Sequence, residues 1–213
     1  MGNAIFSDRK WVLLFSDISC YTKINLDELK VHIMAYEIEI KVRLENMDTI
    51  INKLAQKGCV WISQNRQYDK IYSQKNKNIN SEVIFMRIRH ENNEDILNLK
   101  QIVDSTEVVE FESFIGSPDE IEKMINLIGF EEYITVDKIR LKGRLNDISI
   151  CVDDVKRLGF FLEIEKIVKS KDECDRTKIM LQNLLISLGI GLEQICNKRY
   201  HTMLYELKQK KEE

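Results

Sequence analysis

The chain has 213 residues, enough to bury one sizeable core, and one domain is the default at that length. Its formal charge of −3, with 31% charged residues, excludes the overall basic excess of a nucleic-acid-binding domain, so any cationic site has to be local. The five cysteines (Cys20, Cys59, Cys151, Cys174, Cys196) are odd in number and lack a C-x-x-C pair, which reads as reduced thiols of a cytoplasmic protein rather than a disulfide frame or zinc site.

Residues 1–33 hold one short apolar run, 11–15, preceded by Asp8, Arg9 and Lys10. The run is too short for a signal peptide, and no run reaches membrane-spanning length. Met1-Gly2 invites N-myristoylation, but Phe6 occupies the position that wants Ser or Thr. A brief helix is expected over 26–34, with Asn25 as its cap. These residues read as an N-terminal extension, with the functional domain running over 34–213, and no membrane partner is expected.

From residue 36 the pattern changes. Tyr36-Glu37-Ile38-Glu39-Ile40-Lys41-Val42-Arg43-Leu44 alternates apolar and charged without a break, so a strand puts Glu37, Glu39, Lys41 and Arg43 on one face. A helix follows over 46–57, with Ile50, Ile51 and Leu54 at helical spacing and Gly58 as its stop. Further alternating strands carry Arg87 and Arg89, then Lys100, then Glu110 and Glu112. Ser117-Pro118 starts a second helix as capping serine and first-position proline, and Ile121, Met124, Ile125 and Ile128 carry it to Gly129. Lys138, Arg140 and Lys142 then flank Ile139 and Leu141, Asp153 opposes Ile150 and Val152, and Glu163 and Glu165 flank Ile164. Each Glu-x-Glu strand is followed by a helix, which suggests two related halves. Leu181, Leu184, Leu185 and Leu188 form one closing helical stripe, and Ile195, Met203, Leu204 and Leu207 suggest another. Both are expected to pack on the outside of the sheet.

Two architectures absorb such strands. One is an antiparallel sheet with a solvated outer face. The other is an α+β fold with a closed antiparallel β-barrel turned inside out, its bore charged and its apolar faces outward under helices. A bore holding both signs is costly unless the charges meet ions and a ligand. Cations suit a polyphosphate, and carboxylates suit the hard divalent metal that accompanies it.

A resemblance favours the second. Glu37-x-Glu39-x-Lys41 resembles the ExExK signature of the CYTH superfamily, the triphosphate tunnel metalloenzymes. The motifs that follow are similar to the family's in the same order. They are Gln67-Tyr68-Asp69-Lys70-Ile71-Tyr72, Met86-Arg87-Ile88-Arg89, Lys100, Glu110-x-Glu112 and Lys138-x-Arg140. The stretch from Cys151 through Asp153, Val155, Leu158-Gly159 and Phe161 to Glu163-Ile164-Glu165 resembles the end of the family's barrel, and Lys198-Arg199-Tyr200 echoes its terminal Ser-Tyr-like segment.

The resemblance implies a closed tunnel that binds a triphosphate-containing small molecule. It implies Lys41, Arg87, Arg89, Lys100, Lys138 and Arg140 on phosphate oxygens, with Lys41, Lys138 and Arg140 as the catalytic cations. It implies Glu37, Glu39, Asp153, Glu163 and Glu165 around Mg²⁺ or Mn²⁺, and Glu110 and Glu112 orienting cations across the bore. Arg43 and Lys142 are expected near a mouth. Among activities, the class IV adenylate cyclase branch is most similar, giving cyclic AMP and pyrophosphate from ATP. The alternatives are a triphosphatase acting on inorganic tripolyphosphate, thiamine triphosphate or a nucleotide, and a non-catalytic polyphosphate binder. That branch also implies a homodimer. His32, His90 and His201 have no place in the motifs and read as exposed or satisfied side chains, and Trp11 and Trp61 carry no signal. The chain departs from the pattern at Gln101-Ile102-Val103, where a Gly-Pro loop is common, and at Gly143, where an aromatic commonly follows the Lys-x-Arg strand.

Overall fold

Alternation of charged and apolar residues does form strands in the computed structural model. It describes residues 11–16, 20–25, 36–75, 84–102 and 108–212, with side chains over 36–75, 84–101 and 111–210. The strands are β1 (Trp11–Ser16), β2 (Cys20–Asn25), β3 (Tyr36–Leu44), β4 (Val60–Gln74), β5 (Ile84–Glu91), β6 (Glu94–Ile102), β7 (Val108–Ile115), β8 (Phe130–Leu145), β9 (Ile148–Val155) and β10 (Gly159–Val168). Four helices accompany them: α1 (Met47–Gln56), α2 (Pro118–Leu127), α3 (Cys174–Ser187) and α4 (Tyr200–Glu212). The helix expected over 26–34 lies outside the described residues.

Strands β3 to β10 make one antiparallel sheet in the order β3-β10-β9-β8-β4-β5-β6-β7. The long strands β4 and β8 pair at its centre from Val60↔Arg144 to Gln74↔Phe130. On either side, β5-β6-β7 mirrors β9-β10-β3, so the sequence halves β3-α1-β4-β5-β6 and β7-α2-β8-β9-β10 reappear as a pseudo-symmetric arrangement. The expected closure is not made by these eight strands among themselves. Edge strands β3 and β7 do not pair with each other; β2 pairs with β3 and β1 pairs with β7, the two joined as a hairpin.

One face of the sheet is apolar and lies under helices. Ile38, Ile40 and Val42 of β3, Ile150 and Val152 of β9, and Leu162 and Ile164 of β10 pack against Leu54 of α1 and Leu181 and Leu185 of α3, all nearly or fully buried. Burying each such side chain contributes about 1.5–3 kcal/mol, which explains why α1 and α3 lie there. The other face then receives Glu37, Glu39 and Lys41, as strand parity demands. The Asn46 side chain caps α1 by accepting from the Thr49 amide at 2.9 Å. Ser117 stands at the N-cap of α2 with Pro118 next, but its side chain makes no capping bond.

The last helix departs from expectation. Ile195 is not helical and forms a bridge with Val42, and α4 begins only at Tyr200. Tyr200 and Leu204 pack against Ile71, Phe85 and Phe161. Those residues share strand parity with Asp69, Arg87 and Glu163, so the first turns of α4 fill the charged side of the sheet rather than its helix-covered side.

Candidate functional site

The charged face encloses a cavity of about 410 Å³. Its walls carry Glu37, Glu39 and Lys41 from β3, Arg87 and Arg89 from β5, Lys100 from β6, Lys138, Arg140 and Lys142 from β8, and Glu163 and Glu165 from β10. Every one of these was singled out in the sequence, and the fold brings them together because each strand offers the same parity inward. Glu112 of β7 joins them, accepting from Asn98 Nδ2 at 3.1 Å and Arg87 Nη2 at 3.5 Å. The Glu110 side chain lies outside the described residues. Lys142 lines the cavity, whereas Arg43 is an architectural clip that donates to the Leu158 carbonyl at 2.6 Å and lies over the Phe161 ring.

Asp153 sits behind this wall with no exposed surface. Its carboxylate accepts from Arg140 Nε at 2.7 Å, from Arg140 Nη2, from Lys138 Nζ at 3.2 Å and from the Tyr200 hydroxyl at 3.0 Å. Burial opposes its charge, but the Arg140 guanidinium outweighs burial and holds the carboxyl well below the usual range. Arg140 also donates to Glu163, which it and Lys138 hold below its ordinary value against burial. Lys41 lies 3.7 Å from Glu163.

Sequence reasoning passed over Asp69 as a site residue, yet it is 4% exposed and grips Arg89 through a two-pronged pair at 2.7 and 2.8 Å. It also passed over three consecutive residues at the start of α4: Arg199, Tyr200 and His201 all line the cavity. The Tyr200 ring lies 4.6 Å below Lys41 Nζ and 4.9 Å from Lys138 Nζ, so it braces two cations while its hydroxyl holds Asp153. Burial first, then Glu163, push its phenol far up, so it stays a donor. The only available signal was the Lys198-Arg199-Tyr200 echo. His201, read from the sequence as an exposed or satisfied side chain, lines the cavity against Phe85, whereas His90 is exposed and paired with Asp95 at 3.0 Å. Trp61 also acquires a role: a Cβ on Gly143 would lie 2.5 Å from its ring, so the glycine makes room for an aromatic supplied by the neighbouring strand.

Burial shifts two groups toward their less charged form. Burial, then Glu163, raise Glu39 to about 7. Burial, then Arg140, lower Lys138, which is 4% exposed, to about 8. A buried carboxylate crowded by Glu163 and Glu165 suits a divalent cation, and an all-oxygen donor set suits Mg²⁺ or Mn²⁺. Among the described residues no three His, Cys, Asp or Glu side chains stand close enough to form a ready cage. That fits a metal taken through one or two carboxylates plus phosphate oxygens, the mode Mg²⁺ favours. Asp153, with both oxygens engaged by cations and Tyr200, is placed to hold those cations in position.

One antiparallel sheet thus gathers cations and carboxylates on its inner face, with the first turns of the C-terminal helix packed against that face. The CYTH domain model matches residues 35–195, and the chain belongs to this family. A Methanocaldococcus jannaschii protein named as a candidate adenylate cyclase is 27% identical over 169 residues, covering 77% of this chain and 95% of its own. A solved Pyrococcus horikoshii protein superposes with a TM-score of 0.67 at 28% identity, covering 82% of this chain and 99% of that one. A Hippeastrum protein, described as a candidate adenylyl cyclase with a dominant triphosphatase activity, shares the fold with a TM-score of 0.58 at 17% identity, over 81% of this chain and 96% of that one. No helix among the described residues is long and apolar enough to cross a membrane.

Proposed function

We propose that the chain is a metal-dependent enzyme acting on a triphosphate inside a β-tunnel, with ATP converted to cyclic AMP and pyrophosphate as the reaction. The observation that carries this is the convergence of Lys41, Arg87, Lys100, Lys138 and Arg140 with Glu37, Glu39, Glu163 and Glu165 on one cavity of about 410 Å³. The cations neutralise phosphate oxygens, with arginine offering a fixed fork and lysine a mobile point charge. Glu39 and Glu163, with Glu37 and Glu165 alongside, would hold Mg²⁺ or Mn²⁺, which would supply polarisation of the phosphoryl group. A pure anion binder gains nothing from those carboxylates, which weighs against the non-catalytic reading.

The ribose 3′-hydroxyl attacks the α-phosphorus, a new O–P bond forms, the α–β bridge breaks, and pyrophosphate leaves. Burial, then Arg140, bring Lys138 down to about 8, so it stays mainly a cation at neutral pH while the neutral fraction made available by the shift can receive the hydroxyl proton. The jannaschii relative's name supports the cyclase assignment.

Hydrolysis of a triphosphate is the second reading, favoured by one feature. The Phe85 ring on the cavity wall already packs with His201 at 5.3 Å and Arg199 at 5.3 Å, so a nucleobase would compete with two side chains for it. Products separate the two. ATP with Mg²⁺ or Mn²⁺ should yield cyclic AMP and pyrophosphate; faster orthophosphate release from inorganic tripolyphosphate, with no cyclic nucleotide, selects the hydrolase.

A further inference from the structure

We infer that His201 is a proton-coupled ligand of the polyphosphate: its ring takes a proton from solvent as the anion enters and then donates to a phosphate oxygen. The inference rests on the reading of the cavity as a triphosphate site and adds a residue and a pH dependence to it.

The placement is specific. Tyr200, tied to Asp153, fixes the first turn of α4, and the next residue projects His201 into the cavity wall against the Phe85 ring. The charges facing it come from every side. Lys41 approaches from β3, Arg87 from β5, Lys100 from β6 and Arg199 from the residue just before α4. The remaining walls bring Lys138 from β8, Asp69 from β4 and Glu112 from β7, with Asp69 committed to Arg89 and Glu112 in contact with Arg87 and Asn98. Burial, then the cations led by Arg199, lower the imidazole to about 3. It is therefore neutral at any working pH.

A neutral imidazole ringed by cations is a latent positive charge. A triphosphate reverses the sign of the local field, and the low dielectric that sharpened repulsion from the cations now strengthens the attraction of a protonated ring to the anion. The bound-state pKa then lies above the free-state value, so the complex holds more protons than the free protein. Affinity must rise as pH falls between the two values, by up to about tenfold per unit.

The chain has three histidines, so ring resonances can be followed one by one in the full-length protein. The C2–H signals are recorded from pH 5 to 8 without metal, with and without saturating inorganic tripolyphosphate, and binding is measured by calorimetry at pH 6 and 7. His201→Gln assigns the signal; should that variant not fold, His90→Gln and His32→Gln assign it by subtraction. Protonation of Lys138 or Glu39 also moves the calorimetric affinity, so the deciding readout is the His201 midpoint, which belongs to one ring. His201 should not titrate in the free protein and should show a midpoint inside the window in the complex, with affinity severalfold higher at pH 6 than at pH 7. Tripolyphosphate binding with a His201 midpoint still below 5 overturns the inference and leaves the triphosphate site standing. Absence of any tripolyphosphate binding overturns both.

Discussion

Asp153→Asn is the most informative single change to the architecture of the site. It keeps side-chain size but removes the charge that Arg140 meets with Nε at 2.7 Å, Lys138 at 3.2 Å and Tyr200 at 3.0 Å, in a position with no exposed surface. The amide would also turn donors toward the Arg140 donors. Removing one partner of a buried ion pair costs about 3–5 kcal/mol, because the charge left behind stays desolvated. That is a large share of a total stability of about 5–15 kcal/mol. At about 2–4 °C per kcal/mol for a chain of this size, the midpoint should fall by roughly 6–20 °C. Asp154→Asn, one residue along and exposed, should change stability by no more than about 0.5 kcal/mol. The assay is urea and thermal unfolding of both variants in metal-free buffer. A loss under about 1 kcal/mol in Asp153→Asn would refute the claim that this carboxylate anchors the cation cluster.

Three further outcomes follow from the same geometry. Glu39 is raised to about 7 from an ordinary 4.5, so its stabilising protonated form is fully present below 4.5 and lost as pH climbs through 7. Metal-free wild type should therefore lose stability relative to Glu39→Gln over that window, the two sharing the opposing gain from His201, whose lowered value favours folding as pH climbs toward 6.5, and Mg²⁺ should stabilise wild type at pH 8 but not the variant. Glu163→Gln and Glu39→Gln should each lower metal-supported turnover by orders of magnitude, with Glu45→Gln, exposed and outside the cavity, close to neutral; unchanged Mg²⁺ dependence in both site variants contradicts the metal assignment. A protein starting at Met34 should keep a cooperative thermal transition and metal-dependent turnover, because the family match spans 35–195. Loss of that transition would make the β1–β2 hairpin, paired with β3 and β7, an integral part of the sheet.

The charged wall was legible in the sequence because one-residue parity decides everything on a strand. Once Ile38, Ile40 and Val42 go under α1 and α3, Glu37, Glu39 and Lys41 have nowhere else to point. Helix α1 was legible for the same reason at a period of 3.6, with Gly58 as its stop. What escaped was information about partners. Nothing in the spacing of Asp153 says that its oxygens are spent on Arg140, Lys138 and Tyr200 instead of facing the cavity. The stripe from Ile195 to Leu207 suggested a helix on the outer surface, but tertiary contacts with Phe85 and Phe161 draw α4 to the inner face and carry His201 with it. Gly143 likewise looked like a missing aromatic until Trp61 was seen to fill its space.

The central claim is that this cavity holds a triphosphate, and calorimetric binding of inorganic tripolyphosphate with Mg²⁺ to wild type and Lys41→Ala tests it directly. Lys41 lines the wall 3.7 Å from Glu163 and 4.6 Å from the Tyr200 ring, and a hydrogen bond from such a charged group is worth about 1.5–3 kcal/mol. The account predicts saturable binding to wild type, weakened about 10- to 150-fold in Lys41→Ala and unchanged in Arg66→Ala, whose side chain pairs with Asp137 away from the cavity. Equal affinity in wild type and Lys41→Ala, or no binding to wild type, would contradict it.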